Sequence, residues 1–195
     1  MALATAEAAQ EAKKFIKKAG GDGTWDRLAE YLAPTDRFVI NRSFAAPIDL
    51  VFQMWTDPKH LAHWAPPTGS TMEYRRADIR PGGHSFYAMR TASGLTMYGR
   101  ADYREIEAPH RLVYTQQFAD EQEQLARHPL APTWPATMLT TVTFAEEAPD
   151  RTRVTVVWEI SGDATPLERE TFNQAKAGMT QGWTGSFDKL EEQLT

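Results

Sequence analysis

The sequence predicts an α+β fold: an antiparallel sheet of about six or seven strands, two short helices after the first strand, and one long helix at the C-terminus. Three observations carry this. Short β-branched and aromatic runs recur between turns built on Gly and Pro, two apolar stretches headed by Pro follow the first of these runs, and residues 172–194 hold one unbroken apolar stripe at helical spacing.

Arg37–Phe44 alternates, with Phe38, Ile40, Arg42 and Phe44 on one parity, as a half-buried strand does. Pro47 then sits where a helix starts, since its missing N–H is harmless there. Ile48–Trp55 follows with helical spacing. Asp57-Pro58 repeats the device with a capping carboxylate and predicts a second short helix ending near Trp64, before Pro66-Pro67. Strands are predicted at Met72–Ile79, His84–Thr91, Leu95–Ile106 and Arg111–Phe118. Pro81-Gly82-Gly83, Ser93-Gly94 and Ala108-Pro109 separate them, which makes an antiparallel meander. Residues 119–137, acidic and proline-containing, read as a loop. Met138–Ala145 and Arg153–Ile160 are two further strands, joined by a polar turn over 146–152.

In the last element, Thr165, Pro166 and Glu168 form a capping box with proline in the first turn. Phe172, Ala175, Met179, Trp183, Phe187, Leu190 and Leu194 then recur at steps of three or four. A helix from Pro166 to Gln193 would be about 40 Å long, enough to cross a sheet. Gly178, Gly182 and Gly185 lie inside it, and each costs about 1 kcal/mol relative to Ala. Close approach of neighbouring strands is the ordinary explanation for such a stripe; room for a ligand is the other.

Residues 1–35 differ in texture. Ala6–Lys18 reads as a helix ended by Gly20-Gly21 and Gly23, and Trp25, Leu28, Ala29 and Leu32 form a second short helical pattern. This predicts an N-terminal helical arm, packed on the domain at 36–195 or serving a homodimer. The chain of 195 residues is 42% hydrophobic and 24% charged, which fits one globular domain with an appendage. It contains no Cys, so disulfides, thiolate metal sites and thiol nucleophiles are excluded. No stretch is apolar enough for a membrane span, and no secretory signal pattern opens the sequence, so a cytoplasmic protein is expected. With a net charge of −5 and no concentrated basic footprint, no nucleic-acid partner is expected.

Several features together resemble a known family. They are Asp57-Pro58 leading to Trp64, Pro81-Gly82-Gly83, Gly94, Gly99, the run from Tyr103 to Thr115, and Gly178-Met179 followed by Gly182-Trp183 and Leu190. In order and spacing, residues 36–194 resemble the activator of heat-shock-protein-90 ATPase family, in its bacterial START-like branch of the SRPBCC or birch-pollen-allergen superfamily. The resemblance implies a helix-grip fold, a curved sheet wrapped around the C-terminal helix with a cavity between them. Activity does not follow, because members include co-chaperones, lipid carriers, hormone receptors and cyclases. The chain departs from the pattern at His63-Trp64-Ala65-Pro66, where the family commonly has two adjacent tryptophans followed by Gly-Pro. The large N-terminal domain of the eukaryotic co-chaperones has no counterpart in residues 1–35, which weighs against a co-chaperone role.

Motifs for chemistry are sparse. His60 and His63 share a helix, but no pattern supplies further ligands, so no metal or other cofactor is expected. Neither a nucleophile elbow nor a phosphate-binding loop occurs, and Ser186 reads as a small residue on a packed face. General acid–base chemistry would fall to a strand residue that points inward, from among Glu73, Asp78, His84, Asp102 and Glu105. The aromatic and thioether content is the larger signal: six Trp, six Tyr, nine Phe and seven Met. Strand parity groups Ser85, Tyr87 and Met89, then Met138, Thr140, Val142 and Phe144, then Val154, Val156 and Trp158. The expected function is binding of a small hydrophobic or aromatic molecule, with Trp64, Tyr87, Met89, Met97, Tyr114, Met138, Met179 and Trp183 as lining candidates and His63 beside Trp64 at the entrance. The alternatives are a cyclase- or hydrolase-type enzyme using a buried carboxylate or His84, and a module that stimulates a chaperone ATPase.

Overall fold

A computed structural model describes residues 36–195, so the helical arm expected at 1–35 lies outside the described residues. The elements are β1 (Arg37–Phe44), α1 (Ile48–Thr56), α2 (Pro58–Trp64), β2 (Thr71–Ala77), β3 (His84–Arg90), β4 (Thr96–Glu107), β5 (Arg111–Ala119), β6 (Leu125–Ala126), β7 (Met138–Ala148), β8 (Arg151–Ile160) and α3 (Pro166–Leu194). The strands form one antiparallel sheet in the order β1-β8-β7-β5-β4-β3-β2, with β6 paired to β5. This is the predicted α+β helix-grip arrangement, with one strand more than expected.

The extra strand comes from a hairpin inside the predicted loop. The Asp120 carboxylate accepts from the backbone N–H groups of Gln122 and Gln124 at 2.9 and 2.8 Å, closing a tight turn that carries Glu123 at φ 65°. Leu125-Ala126 is thereby returned to pair with Phe118 and Ala119. The turn between β7 and β8 is also shorter than predicted, because Ala148 already pairs with Arg151.

Caps fix the helices. The Asp57 carboxylate accepts from Lys59 N–H at 2.8 Å with Pro58 in the first turn. At α3 the reciprocal Thr165–Glu168 capping box is complete. Bulges near Arg75, Arg104 and Glu147 interrupt β2, β4 and β7 and bend the strands that carry them.

The solid core lies at one end of the sheet. Phe38, Ile40 and Phe44 of β1, Val142 and Phe144 of β7, and Val154 and Val156 of β8 meet α1, α2 and both ends of α3. Along α3, Phe172, Phe187 and Leu190 are fully buried, whereas Ala175, Met179 and Trp183 between them are only half-buried. The helix therefore stands away from the sheet at its middle. Arg42, on the inward parity of β1, reaches the rim of the core, where it pairs with Asp188 at 2.6 Å and lies over the Phe187 ring.

Candidate functional site

Between the middle of α3 and strands β2–β5 lies a cavity of about 650 Å³. Among the described residues no carboxylate, ammonium or guanidinium lines it. Its lining residues that are also exposed, namely Pro67, Ala136, Gln174 and Gly178, mark where it opens.

The wall has two aromatic clusters. Trp55, Trp64, Trp158 and Trp183 belong to α1, α2, β8 and α3. Trp183 stacks on Trp55 with centroids 5.9 Å apart and meets Trp158 nearly edge-on at 5.7 Å, while Trp55 and Trp64 are 4.6 Å apart. On β2–β5 stand Tyr74, Tyr87, Tyr103 and Tyr114, with centroids 5.8 Å apart for Tyr74–Tyr87 and 5.6 Å for Tyr103–Tyr114. Gly99 makes room here, since a β-carbon on it would run into the Tyr87 ring.

Burial disfavours phenolate, so the tyrosines are held protonated. Desolvation pushes Tyr103 up to about 12 and raises Tyr74, Tyr87 and Tyr114 above the usual phenol range. Tyr103 Oη and Ser85 Oγ hydrogen-bond at 3.0 Å, and Thr140 Oγ1 donates to Gln116 Oε1 at 2.8 Å. Tyr98 and His128 also line the wall, and His128 brings an imidazole to it. Its pKa is lowered by burial, its Nδ1 accepts from Leu130 N–H at 3.1 Å, and its ring lies 4.5 Å from that of Phe118.

Of the residues singled out in the sequence, Trp64, Tyr87, Met89, Met97, Tyr114, Met138, Met179 and Trp183 all come together on this wall. His63 does not: it is exposed on α2 and is not among the described lining residues, and its backbone carbonyl accepts from Lys189 at 3.4 Å. Trp64 is no entrance residue either, being fully buried with its indole N–H donated to the Met54 carbonyl at 2.8 Å. Ser186 is a packed small residue, its hydroxyl donating to the Ala65 carbonyl at 3.0 Å.

The glycines of α3 divide. A β-carbon on Gly178 or Gly182 would meet nothing within 4 Å among the described residues, and both glycines line the cavity, which corrects the expectation of close strand approach. On Gly185 it would lie 2.5 Å from the Thr68 hydroxyl, a close approach to a loop rather than a strand.

None of the five acid–base candidates lines the cavity. His84 lies on the parity opposite Tyr87 and Met89, with its Nε2 2.9 Å from the Glu123 carboxylate. Glu105 pairs with Arg111 at 3.0 Å, Asp102 with Arg100 at 2.7 Å and Asp78 with Arg80 at 2.8 Å, while Glu73 is exposed. The enzyme alternative thus lacks the inward-pointing groups on which it rested. Among the described residues no group of three or more His, Asp or Glu could hold a metal ion, and no helix is long and apolar enough to cross a membrane.

Sequence reasoning missed Tyr74, Tyr103, Gln116 and Trp134 as wall residues. The parity of Tyr114 points to Gln116 two positions on, but no comparable signal marks Trp134, which reaches the wall from a loop.

Comparison with known proteins places this geometry. The sequence model of the family described as "Activator of Hsp90 ATPase homolog 1-like protein" matches residues 45–195. Protein Ms6760 from Mycobacterium smegmatis is similar in structure with TM-score 0.68 and 24% identity, over 83% of this chain and 91% of that one. An Arthrobacter aurescens protein gives 0.67 and 24%, over 80% and 84%. The AHSA1 protein from Silicibacter pomeroyi gives 0.61 and 18%, over 81% and 96%. No curated protein matches the chain.

Proposed function

Because the chain belongs to the Activator of Hsp90 ATPase homolog 1-like family and holds such a cavity, we propose that it binds a small hydrophobic or aromatic molecule between the sheet and α3. The observation that carries this reading is the cavity of about 650 Å³, bordered by indole, phenol and thioether side chains. Ligand sites commonly enclose about 300–1,000 Å³ with mostly apolar walls and a few polar groups. Burying apolar ligand surface contributes about 25 cal/mol per Å² before ordering costs are subtracted.

Native mass spectrometry of freshly purified protein tests this directly, with a co-purified small molecule as the expected result. Quenching of tryptophan emission by a panel of aromatic metabolites is the second readout, since Trp183 and Trp158 form part of the wall. Met179→Trp, which overfills the cavity, weakens whatever binds. Absence of any co-purified or quenching compound, or undiminished calorimetric binding in Met179→Trp, overturns the reading.

The family description supports a second reading, stimulation of an Hsp90-type chaperone ATPase. It predicts a rise in chaperone ATP turnover at saturating protein, and unchanged turnover dismisses it.

A further inference from the structure

Resting on the cavity-binding reading, the wall also says what kind of molecule fits. We propose that the ligand is an uncharged aromatic compound bearing a hydrogen-bond-accepting oxygen, such as a ketone, aldehyde or ester carbonyl, directed to the tyrosine end of the cavity.

The two ends differ chemically. The tryptophan end draws on α1, α2, α3 and β8, and the indole N–H groups of Trp55, Trp64 and Trp158 are closed off there. Trp64 donates to the Met54 carbonyl, and those of Trp55 and Trp158 are buried with no partner among the described residues. The tyrosine end draws on β2–β5, and β3 lies four strands away from β8 in the sheet order. At about 4.8 Å per strand the cavity crosses a substantial width of sheet, so its two ends are separate places on one wall.

Polarity sets the functional group. Among the described residues the wall has no carboxylate to neutralise a cation and no Lys or Arg to neutralise an anion, so either ion would lose its hydration without a counter-charge. What the tyrosine end does supply is hydroxyl donors. Tyr103 hydrogen-bonds with Ser85 at 3.0 Å, while Tyr114 lies beside Thr140 and Tyr87 beside Gln116. Tyr74 also lines this end, and no hydrogen-bond partner for its hydroxyl is found among the described residues. A donor left open in an apolar hollow favours a ligand that brings an acceptor to it. Because burial keeps all four phenols protonated, they remain donors throughout the physiological pH range.

Four naphthalene probes separate the possibilities by calorimetric titration of the full chain: naphthalene, 2-acetylnaphthalene, 2-naphthoate and 2-naphthylmethylammonium. The ketone is expected to bind about tenfold more tightly than the hydrocarbon, the yield of one well-made buried hydrogen bond. Both ions should bind more weakly than the ketone by about tenfold or more. In Tyr74→Phe and in the Tyr74→Phe/Tyr87→Phe double variant, the ketone-to-hydrocarbon affinity ratio falls toward one. Equal affinity for ketone and hydrocarbon, an unaltered ratio in both variants, or tightest binding by either ion overturns the inference while leaving the cavity reading intact. Failure of all four probes overturns both.

Discussion

On the β1–β8–β7 side of the sheet, Phe44 meets Phe187 edge-on with centroids 5.5 Å apart, and Val142, Val154 and Val156 are completely buried. On the β5–β2 side, Tyr74, Tyr87, Met89 and Met97 border a cavity of about 650 Å³ under the same helix. The difference lies in what the chain places between sheet and helix. Helix α1 delivers Val51 and Phe52 to the first side, and β-branched strand residues match them closely. The second side has large, flat or flexible side chains, and there α2 packs against the edge strand β2. A straight rod lying on a twisted, bulged sheet then keeps contact at one end and loses it farther across. Large side chains alone do not make a core; they need an opposing surface.

Removing side chains from each side should expose that contrast. Phe187→Ala leaves a cavity in the solid half and should cost about 3–5 kcal/mol. Met89→Ala removes atoms that already border space, so its cost should stay below about 1 kcal/mol, well under the 2–5 typical of packed methionine. Urea unfolding at unchanged m-value measures both. Similar losses at the two sites would mean that the β2–β5 side is as tightly packed as the other.

The same contrast explains what could be read from the sequence. Alternation gave the inward sets Ser85, Tyr87 and Met89 on β3 and Met138, Thr140, Val142 and Phe144 on β7, because both stretches are regular there. The family resemblance supplied the hollow, and the fold bears it out. Alternation fails where a bulge resets the parity: Tyr103 and Glu105 flank the irregularity at Arg104, one on the wall and the other exposed. His63 was misplaced for a helical reason. Consecutive residues point about 100° apart, so with Trp64 directed inward His63 is turned away. Strand β6 depends on a side-chain-to-backbone turn at Asp120, which leaves no periodic signature.

A smaller effect sharpens the account of the cavity side. Gly178→Ala and Gly182→Ala should each stabilise α3 by up to about 1 kcal/mol, because the added methyl meets no neighbour and glycine's helical penalty is relieved. At this chain length that corresponds to about 2–4 °C in Tm by circular dichroism. Gly185→Ala should gain less, since its methyl must displace the Thr68 hydroxyl. A loss of stability in Gly182→Ala would show that the space beside it is filled.

The smallest effect concerns how the cavity's loop wall is tied to α3. Glu168 accepts from the Thr165 N–H at 2.8 Å and from Arg127 at 2.5 Å, and Arg127 also donates to the carbonyl of Trp134, whose ring lines the cavity. The Thr165 backbone hydrogen bond, followed by Arg127 and the Thr165 hydroxyl, pulls the carboxyl from 4.5 down to about 2. A depressed carboxyl pKa means that the unfolded chain takes up the proton first, so this contribution is complete above pH 4.5 and is lost as pH falls toward 2. Glu168→Gln lacks the charge at every pH. The Tm gap between the two proteins should therefore be widest above pH 5 and shrink steadily on acidification. A gap that stays constant down to pH 2.5 would show that the ionised carboxylate is not what fastens this loop to the helix, and that the capping box holds the helix end without it.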